Sequence, residues 1–240
     1  MYNIKMSDGT LIIALSIVGA IVFAFFIAFV AWYNKQGQKR NRELLETVTS
    51  LNRGTKSEQN LVLKFLKNGI SSKAIFHDLY IQKPNGEYSQ IDLVIATKAG
   101  IIVIEDKYYG GWIFGNGKHD NWTKVMAFGD EKYKFYNPIK QNAWHINYLQ
   151  KALRESIPFY SVIVFSGSCK LRDISNIPDG TFVIYHQQVL QIVNTIMNGE
   201  PVNYKDRHNI IKVLKRGVEN GNDVSIRERH RVHVAKQKRN

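Results

Sequence analysis

Asp92, Glu105 and Lys107 are the residues whose types and spacing in this chain could do chemistry. They lie in the segment from Gln90 to Lys107, QIDLVIATKAGIIVIEDK, where two apolar runs flank a short turn at Thr97-Lys98-Ala99-Gly100. A hairpin closed around Lys98-Ala99 sets Thr97 opposite Gly100 and Asp92 opposite Glu105. Directly opposed residues of an antiparallel pair share a face. Lys107, two residues beyond Glu105, points the same way because side chains alternate with period two. Two carboxylates and an amine on one side of a sheet form a hard-cation site with an ammonium beside it. That is the minimum equipment for metal-assisted phosphodiester cleavage. The inference depends on turn length, since a shift of one residue would carry Asp92 to the other face.

A Glu and a Lys two apart on a strand are more often a solvated ion pair, which contributes little. The run Ile101-Ile102-Val103-Ile104 argues otherwise. So apolar a strand is covered on both faces, and charges there must be paired or metal-bound. Asp106 alternates to the opposite face and reads as structural or exposed.

The elements around this hairpin follow in order. Residues 57–69 place Leu61, Val62, Phe65 and Leu66 at helical spacing, with Ser57 as a cap and Gly69 as a stop. Ala74 to Ile81 reads as a strand, and Lys83-Pro84-Asn85-Gly86 as a reversal. Gly110-Gly111 breaks the chain before a short strand at residues 112–114. Residues 116–136 read as loop with small strands. Asn137-Pro138 opens a helix whose buried stripe is Ile139, Ala143, Ile146, Leu149 and Leu153. Strands at 160–166 and 181–186 and two further helices complete an α/β pattern, a mixed central sheet flanked by helices.

The chain has 240 residues and a net charge of +13. Residues 11–31 are apolar except for Ser16, and no charge occurs between Asp8 and Lys35. About 20 such residues span a bilayer core as a helix. Trp32 and Tyr33 follow where interfacial aromatics sit. A cleaved signal peptide would have a shorter apolar run, roughly 7–15 residues, ending at a small-x-small site, and this one does not. Lys35, Lys39, Arg40 and Arg42 after the span, against Lys5 before it, place the large C-terminal part in the cytoplasm of a single-pass plasma-membrane protein. The lone Cys169 excludes an intrachain disulfide. The layout is an extracytoplasmic stretch (1–9), a transmembrane helix (10–33), a basic juxtamembrane helix or linker (34–53), a domain (54–224) and a basic, unstructured tail (225–240). The positive excess suits a polyanion, either nucleic acid or anionic lipid.

From about Gly54 to about Arg154 the sequence resembles the nuclease-related domain (NERD) family, a branch of the PD-(D/E)xK nuclease-fold group. The resemblance rests on Glu58, Gln90-Ile91-Asp92, the run from Gly100 to Lys107, Gly110-Gly111-Trp112, Trp122, Asn137-Pro138-Ile139-Lys140-Gln141-Asn142 and His145. Ile91 stands where the wider group has its proline, so the nuclease-related branch is the one that fits. The resemblance implies a restriction-endonuclease-like fold. It also implies that Asp92 and Glu105 hold a divalent ion, Mg²⁺ or Mn²⁺, with Glu58 approaching from the preceding helix. Lys107 would orient water or stabilise phosphate charge, and Gln141 would bond a phosphate or fix a carboxylate.

Each supporting residue also has a plainer role. Glu58 suits a first helical turn by the macrodipole alone, and Asn137 is a ready N-cap. His145 reads as a packed or hydrogen-bonded histidine, Trp112 and Trp122 as packing. His77, His119 and Cys169 have no zinc spacing. The leading expectation is metal-dependent hydrolysis of nucleic acid, with DNA preferred to RNA. The alternatives are a catalytically silent nuclease-fold module that binds nucleic acid or a protein partner, and a surface protein whose basic linker and tail bind anionic lipid.

Overall fold

The computed structural model describes residues 8–126 and 129–237. Helix α1 runs from Asp8 to Glu46 as one 39-residue element, so the basic segment after the apolar stretch is helical to Glu46. It is the one described helix long and apolar enough to cross a membrane, with a mean hydropathy of 2.6 over its best window and none of that window buried. Of the extracytoplasmic stretch read at residues 1–9, all but Asp8 and Gly9 lies outside the described residues. Leu45, at the end of α1, is buried in the core of the domain.

The domain follows as α2 (Lys56–Lys67), β1 (Ile75–Gln82), β2 (Tyr88–Thr97), β3 (Gly100–Tyr108), β4 (Gly111–Asn116), β5 (Asn121–Met126) and β6 (Glu131–Tyr136). Then come α3 (Pro138–Leu153), β7 (Phe159–Ser166), β8 (Cys169–Ser175), β9 (Thr181–Tyr185), α4 (Val189–Met197), α5 (Arg207–Asn220) and α6 (Val224–Gln237). The expected mixed central sheet is present. Five strands run in the order β1-β2-β3-β7-β9, antiparallel on the β1 side and parallel from β3 onward. Four others form a second mixed sheet, β6-β5-β4-β8. Sequence reading found its members only in part and missed β8, whose CKLRDIS is too polar to read as a buried strand.

Two cores sandwich the central sheet. One gathers Leu45, Leu61, Val62 and Phe65 with Leu93, Ile95, Ile102 and Ile104, under α2 and α4. The other gathers Val94, Ile101 and Val103 with Leu149, Leu153, Ile210 and Leu214, under α3 and α5. Each fully buried Leu, Ile or Phe contributes about 1.5–3 kcal/mol, so the apolar strands are where the sheet's stability resides.

Two local expectations need correction. The N-cap of α2 is Thr55, whose hydroxyl accepts from Glu58 N at 3.2 Å, not Ser57. The tail is helical as far as Gln237 rather than unstructured. Ile226 of α6 is buried, and His230 Nδ1 donates to Tyr88 O at 3.0 Å. Tertiary contact supplies what a sequence without apolar period does not show.

Candidate functional site

The β2–β3 hairpin closes as its residues require. Thr97 pairs with Gly100, and the register runs through Val94↔Val103 to Leu93↔Ile104. One step further Asp92 would pair with Glu105, but the ladder stops. Asp92 Oδ2 accepts instead from Asp106 N at 2.9 Å.

The stop coincides with a change of face in β1 and β2. Leu93 packs in the α2 core and Ile91 in the α3 core, although residues two apart on a regular strand share a face. In β1 the pairs His77↔Leu93 and Leu79↔Ile91 bracket Asp78, which has φ 55°. A non-glycine residue in the left-handed region must be held there. Arg53 does so, with Nε donating to Asp78 Oδ2 at 2.9 Å and Nη2 donating to Asp78 O, while Gln90 Nε2 donates to Asp78 Oδ1 at 2.9 Å. Arg53 and Asp78 are both nearly sealed from solvent. This lock creates the kink at which Asp92 sits.

Glu105 is buried, at 1% exposure, on the face covered by α3. Lys107 Nζ donates to Glu105 Oε1 at 2.5 Å and to Gln141 Oε1 at 3.1 Å. His145 Nε2 stands 3.3 Å from Glu105 Oε2, close enough for an ion-pair contact but off the line of a hydrogen bond. Among the described residues neither atom has a hydrogen-bond partner, and both are sealed from solvent. The other ring nitrogen of His145 is 2.8 Å from Ser89 Oγ.

The electrostatics divide the two acids. Burial disfavours charge on Glu105, yet Lys107 and His145 outweigh it and hold that carboxyl down at about 2. Asp92 is raised well above the ordinary range, by burial first and then by the charges of Glu105 and Glu58. Burial would lower Lys107, but Glu105 and Asp92 raise it and keep it charged. One acid is thus firmly ionised and the other resists ionisation beside it, the usual outcome for neighbouring carboxylates.

Helix α3 is aimed at this cluster by its first residues. Asn137 is fully buried, and its side chain accepts from Ile139 N at 2.9 Å as the N-cap. Its Nδ2 reaches the carbonyls of Asn116, Gly117 and His119, tying the second sheet to the helix. Pro138 takes the first helical turn. Gln141 then reaches Lys107, and Asn142 Nδ2 donates to Val103 O and Ser161 Oγ, both at 2.9 Å. Trp122 is buried and stacks on Phe165, while Trp112 is only half-buried under Arg172.

Glu58 is also buried, but its carboxylate is engaged. Oε1 accepts from Thr55 Oγ1 at 2.8 Å, and Oε2 lies 3.1 Å from His77 Nε2. Gly54, at φ 63°, lets the chain pass so close that a Cβ there would meet His77 Nε2 at 2.4 Å. Asp106 accepts from Ser166 Oγ at 2.8 Å, and burial raises its carboxyl despite help from Ser57 and Ser166.

The structure thus brings Asp92, Glu105, Lys107 and Gln141 together, with Glu58 near enough to act on Asp92. Sequence reasoning missed Arg53, Asp78 and the partnership of Glu58 with His77. The signal was there in part, since His77-Asp78 interrupts an apolar strand just as Asp92 does. Among the described residues no group of three His, Cys, Asp or Glu side chains is gathered as a ready metal cage. A divalent cation nevertheless suits the two acids at the hairpin's end. Glu105 Oε2 is buried with no hydrogen bond among the described residues, ionisation of Asp92 is opposed by burial and by a neighbouring negative charge, and the donors are hard oxygens.

The fold and the cluster define the class, a mixed α/β domain with an acid–acid–lysine site on its central sheet. Residues 53–166 match the family model of the nuclease-related domain (NERD), the family that this chain's Gly, Trp and Asn-Pro elements resemble. An uncharacterized protein of Bacillus anthracis is 25% identical over 176 residues, covering 73% of this chain and 81% of the relative. No solved structure matches.

Proposed function

We propose that this domain hydrolyses phosphodiester bonds of nucleic acid, preferably DNA, with Asp92, Glu105 and Lys107 as the reacting constellation. The observation that carries it is the cluster at the hairpin's end, a buried carboxylate oxygen without a donor among the described residues, beside a second acid and a charged lysine. Asp92 and Glu105 would hold Mg²⁺ or Mn²⁺, with Glu58 supporting them. When bound, such an ion lowers the pKa of water and neutralises charge building on the phosphate. The chain's own residues do the rest. Lys107 is kept charged and offers an ammonium to a phosphate oxygen. Gln141 fixes the direction of that ammonium, and His145 with Ser89 fixes Glu105.

We also place the domain at the cytoplasmic face of the plasma membrane. The apolar, solvent-facing stretch of α1 and the cluster Lys35, Lys39, Arg40 and Arg42 that follows it support this. Single cysteines introduced on either side of the span, probed with a membrane-impermeant thiol reagent, check the orientation.

A second reading, a silent module that binds nucleic acid or a protein partner, draws on the lack of a ready three-ligand cage among the described residues. One experiment separates the two. The purified chain is incubated with linear, circular and single-stranded DNA and with RNA, in Mg²⁺, Mn²⁺ or EDTA, beside Asp92→Asn. Metal-dependent cutting that disappears in the variant supports the nuclease. No cutting of any substrate, with nucleic acid still bound, overturns it in favour of the silent module.

A further inference from the structure

The second sheet presents a face that the hydrolytic site does not use. Across its strands the register sets Lys170, Trp112, Val125 and Lys132 in one row. The next row is Asp173, Phe114, Thr123 and Lys134. Residues opposed in a ladder share a face, so on one side of the sheet Trp112 sits in a row ended by two lysines and Phe114 in a row ended by Asp173 and Lys134. The opposite side, with Ile113, Trp122 and Phe135, is the one packed on the body of the domain.

The register shift between Ile113 and Phe114 leaves Arg172 as an extra residue on β8, and its guanidinium lies 4.9 Å from the centre of the Trp112 ring. A bulge re-aims a side chain in this way. Trp112 and Phe114 join none of the three hydrophobic cores and are half-buried, while Lys132, Lys134, Lys170 and Arg172 are exposed. Among the described residues none of these cations forms an ion pair. Asp173 is the acid in these rows.

We propose that this face is a platform for single-stranded nucleic acid that feeds the hydrolytic site. The inference rests on the nuclease reading for the kind of polymer and adds its strandedness. Unpaired cations flanking half-open aromatic rings match a chain of phosphates whose bases are free to stack. A duplex keeps its bases stacked on one another and would engage only the lysines. Arg172 holds a planar cation over Trp112 until a base takes its place. The platform is close to the chemistry. Trp112 follows Lys107 by five residues, at most about 18 Å of chain, and a strand lying on β4 needs only a few nucleotides to reach Lys107.

The test uses the full chain in neutral detergent micelles, with EDTA to prevent cutting. Binding of a fluorescent single-stranded oligonucleotide and of its duplex is followed by anisotropy over a range of salt. K132Q/K134Q/K170Q changes exposed side chains, and Phe114→Leu keeps an apolar residue while removing the ring. The triple variant should weaken single-strand binding at least about tenfold and flatten the salt slope by about 2, at roughly 0.7 for each phosphate no longer neutralised. Phe114→Leu should weaken it about 5- to 100-fold, the usual range for one stacked base, with little effect on the duplex.

Unchanged single-strand binding in the triple variant overturns the platform. So does an equal weakening for duplex and single strand. Parent-like oligonucleotide binding together with abolished binding to phosphatidylserine vesicles would make the face a lipid surface and also overturn it. Cleavage with Mg²⁺ is scored separately. Lysine-dependent binding without cutting sinks the nuclease reading and leaves the platform standing.

Discussion

Two buried acid–histidine pairs lie on opposite sides of the central sheet. Glu58 and His77 face α2, and every polar atom of the pair has a partner, Thr55 on the acid and Thr49 at 2.9 Å on the far ring nitrogen. Glu105 and His145 lie on the α3 side, and the two atoms that approach each other, Oε2 and Nε2, make no hydrogen bond among the described residues. The first pair closes a loop against a strand. The second holds a charged lysine and a reluctant acid around an unmet carboxylate oxygen. Buried polar groups are normally satisfied, and this contrast is what supports the proposed cation site at Glu105. The difference distinguishes an acid whose two oxygens both have partners from one with an oxygen left open more clearly than residue type or burial does.

The largest effect should come from the lock behind both pairs. Arg53→Ala strands the Asp78 carboxylate in the interior and should cost about 3–5 kcal/mol, seen as a large fall in melting temperature. An unchanged melt would mean that the kink at Asp92 needs no lock. Next, Glu105→Gln should reduce cleavage by about 100-fold or more, the scale of removing one electrostatic partner from a transition state, and should also lower the melting temperature at neutral pH, because Lys107 loses its carboxylate partner. Asp92→Asn should do the same to cleavage while raising the melting temperature at neutral pH, because it removes a charge that burial and Glu105 oppose. If the Asn variant instead melts lower, the like-charge conflict is not there.

Glu58→Gln should reverse the pattern. It should cost about 1.5–3 kcal/mol, as hydrogen bonds to a charged group do, and reduce cutting far less than Glu105→Gln. Equal damage to cutting from both changes would erase the contrast between the pairs and make Glu58 a true ligand.

Acid titration sharpens the contrast further. The Glu105 carboxyl falls from an ordinary 4.5 to about 2 on folding. A lowered acid adds stability that is complete above 4.5 and lost as pH drops from there toward 2. Denaturant melts of the parent should steepen in that window, and Glu105→Gln should lack the steepening. The smallest effect belongs to Gln141→Ala, which removes one bond to Lys107. It should cost about 1 kcal/mol or less and slow cutting severalfold through a less directed ammonium.

Much of this site is local and could be read along the chain. The hairpin closed on Lys98-Ala99, Thr97 met Gly100, and Lys107 fell on the Glu105 face, because turn length and the period of two settle these together. Asn137-Pro138 announced α3 by cap and proline, and residues 11–31 announced an apolar span by composition. The ladder's end at Leu93 was not legible, since it depends on Asp78 being held in a left-handed conformation by Arg53, 25 residues away. Nor was β8, whose polar residues become a strand only against β4, and with it the lysine and aromatic rows of the second sheet.

The sequence by itself determined which side chains share a face within one hairpin and where α3 begins, because those follow from local periodicity and from a cap followed by proline. Tertiary structure alone decided which acids are satisfied. A buried carboxylate's hydrogen bonds come from residues distant in the chain, His77 and Thr55 for Glu58, His145 and Lys107 for Glu105. Whether an acid is structural or available is therefore set by packing, which no spacing rule encodes.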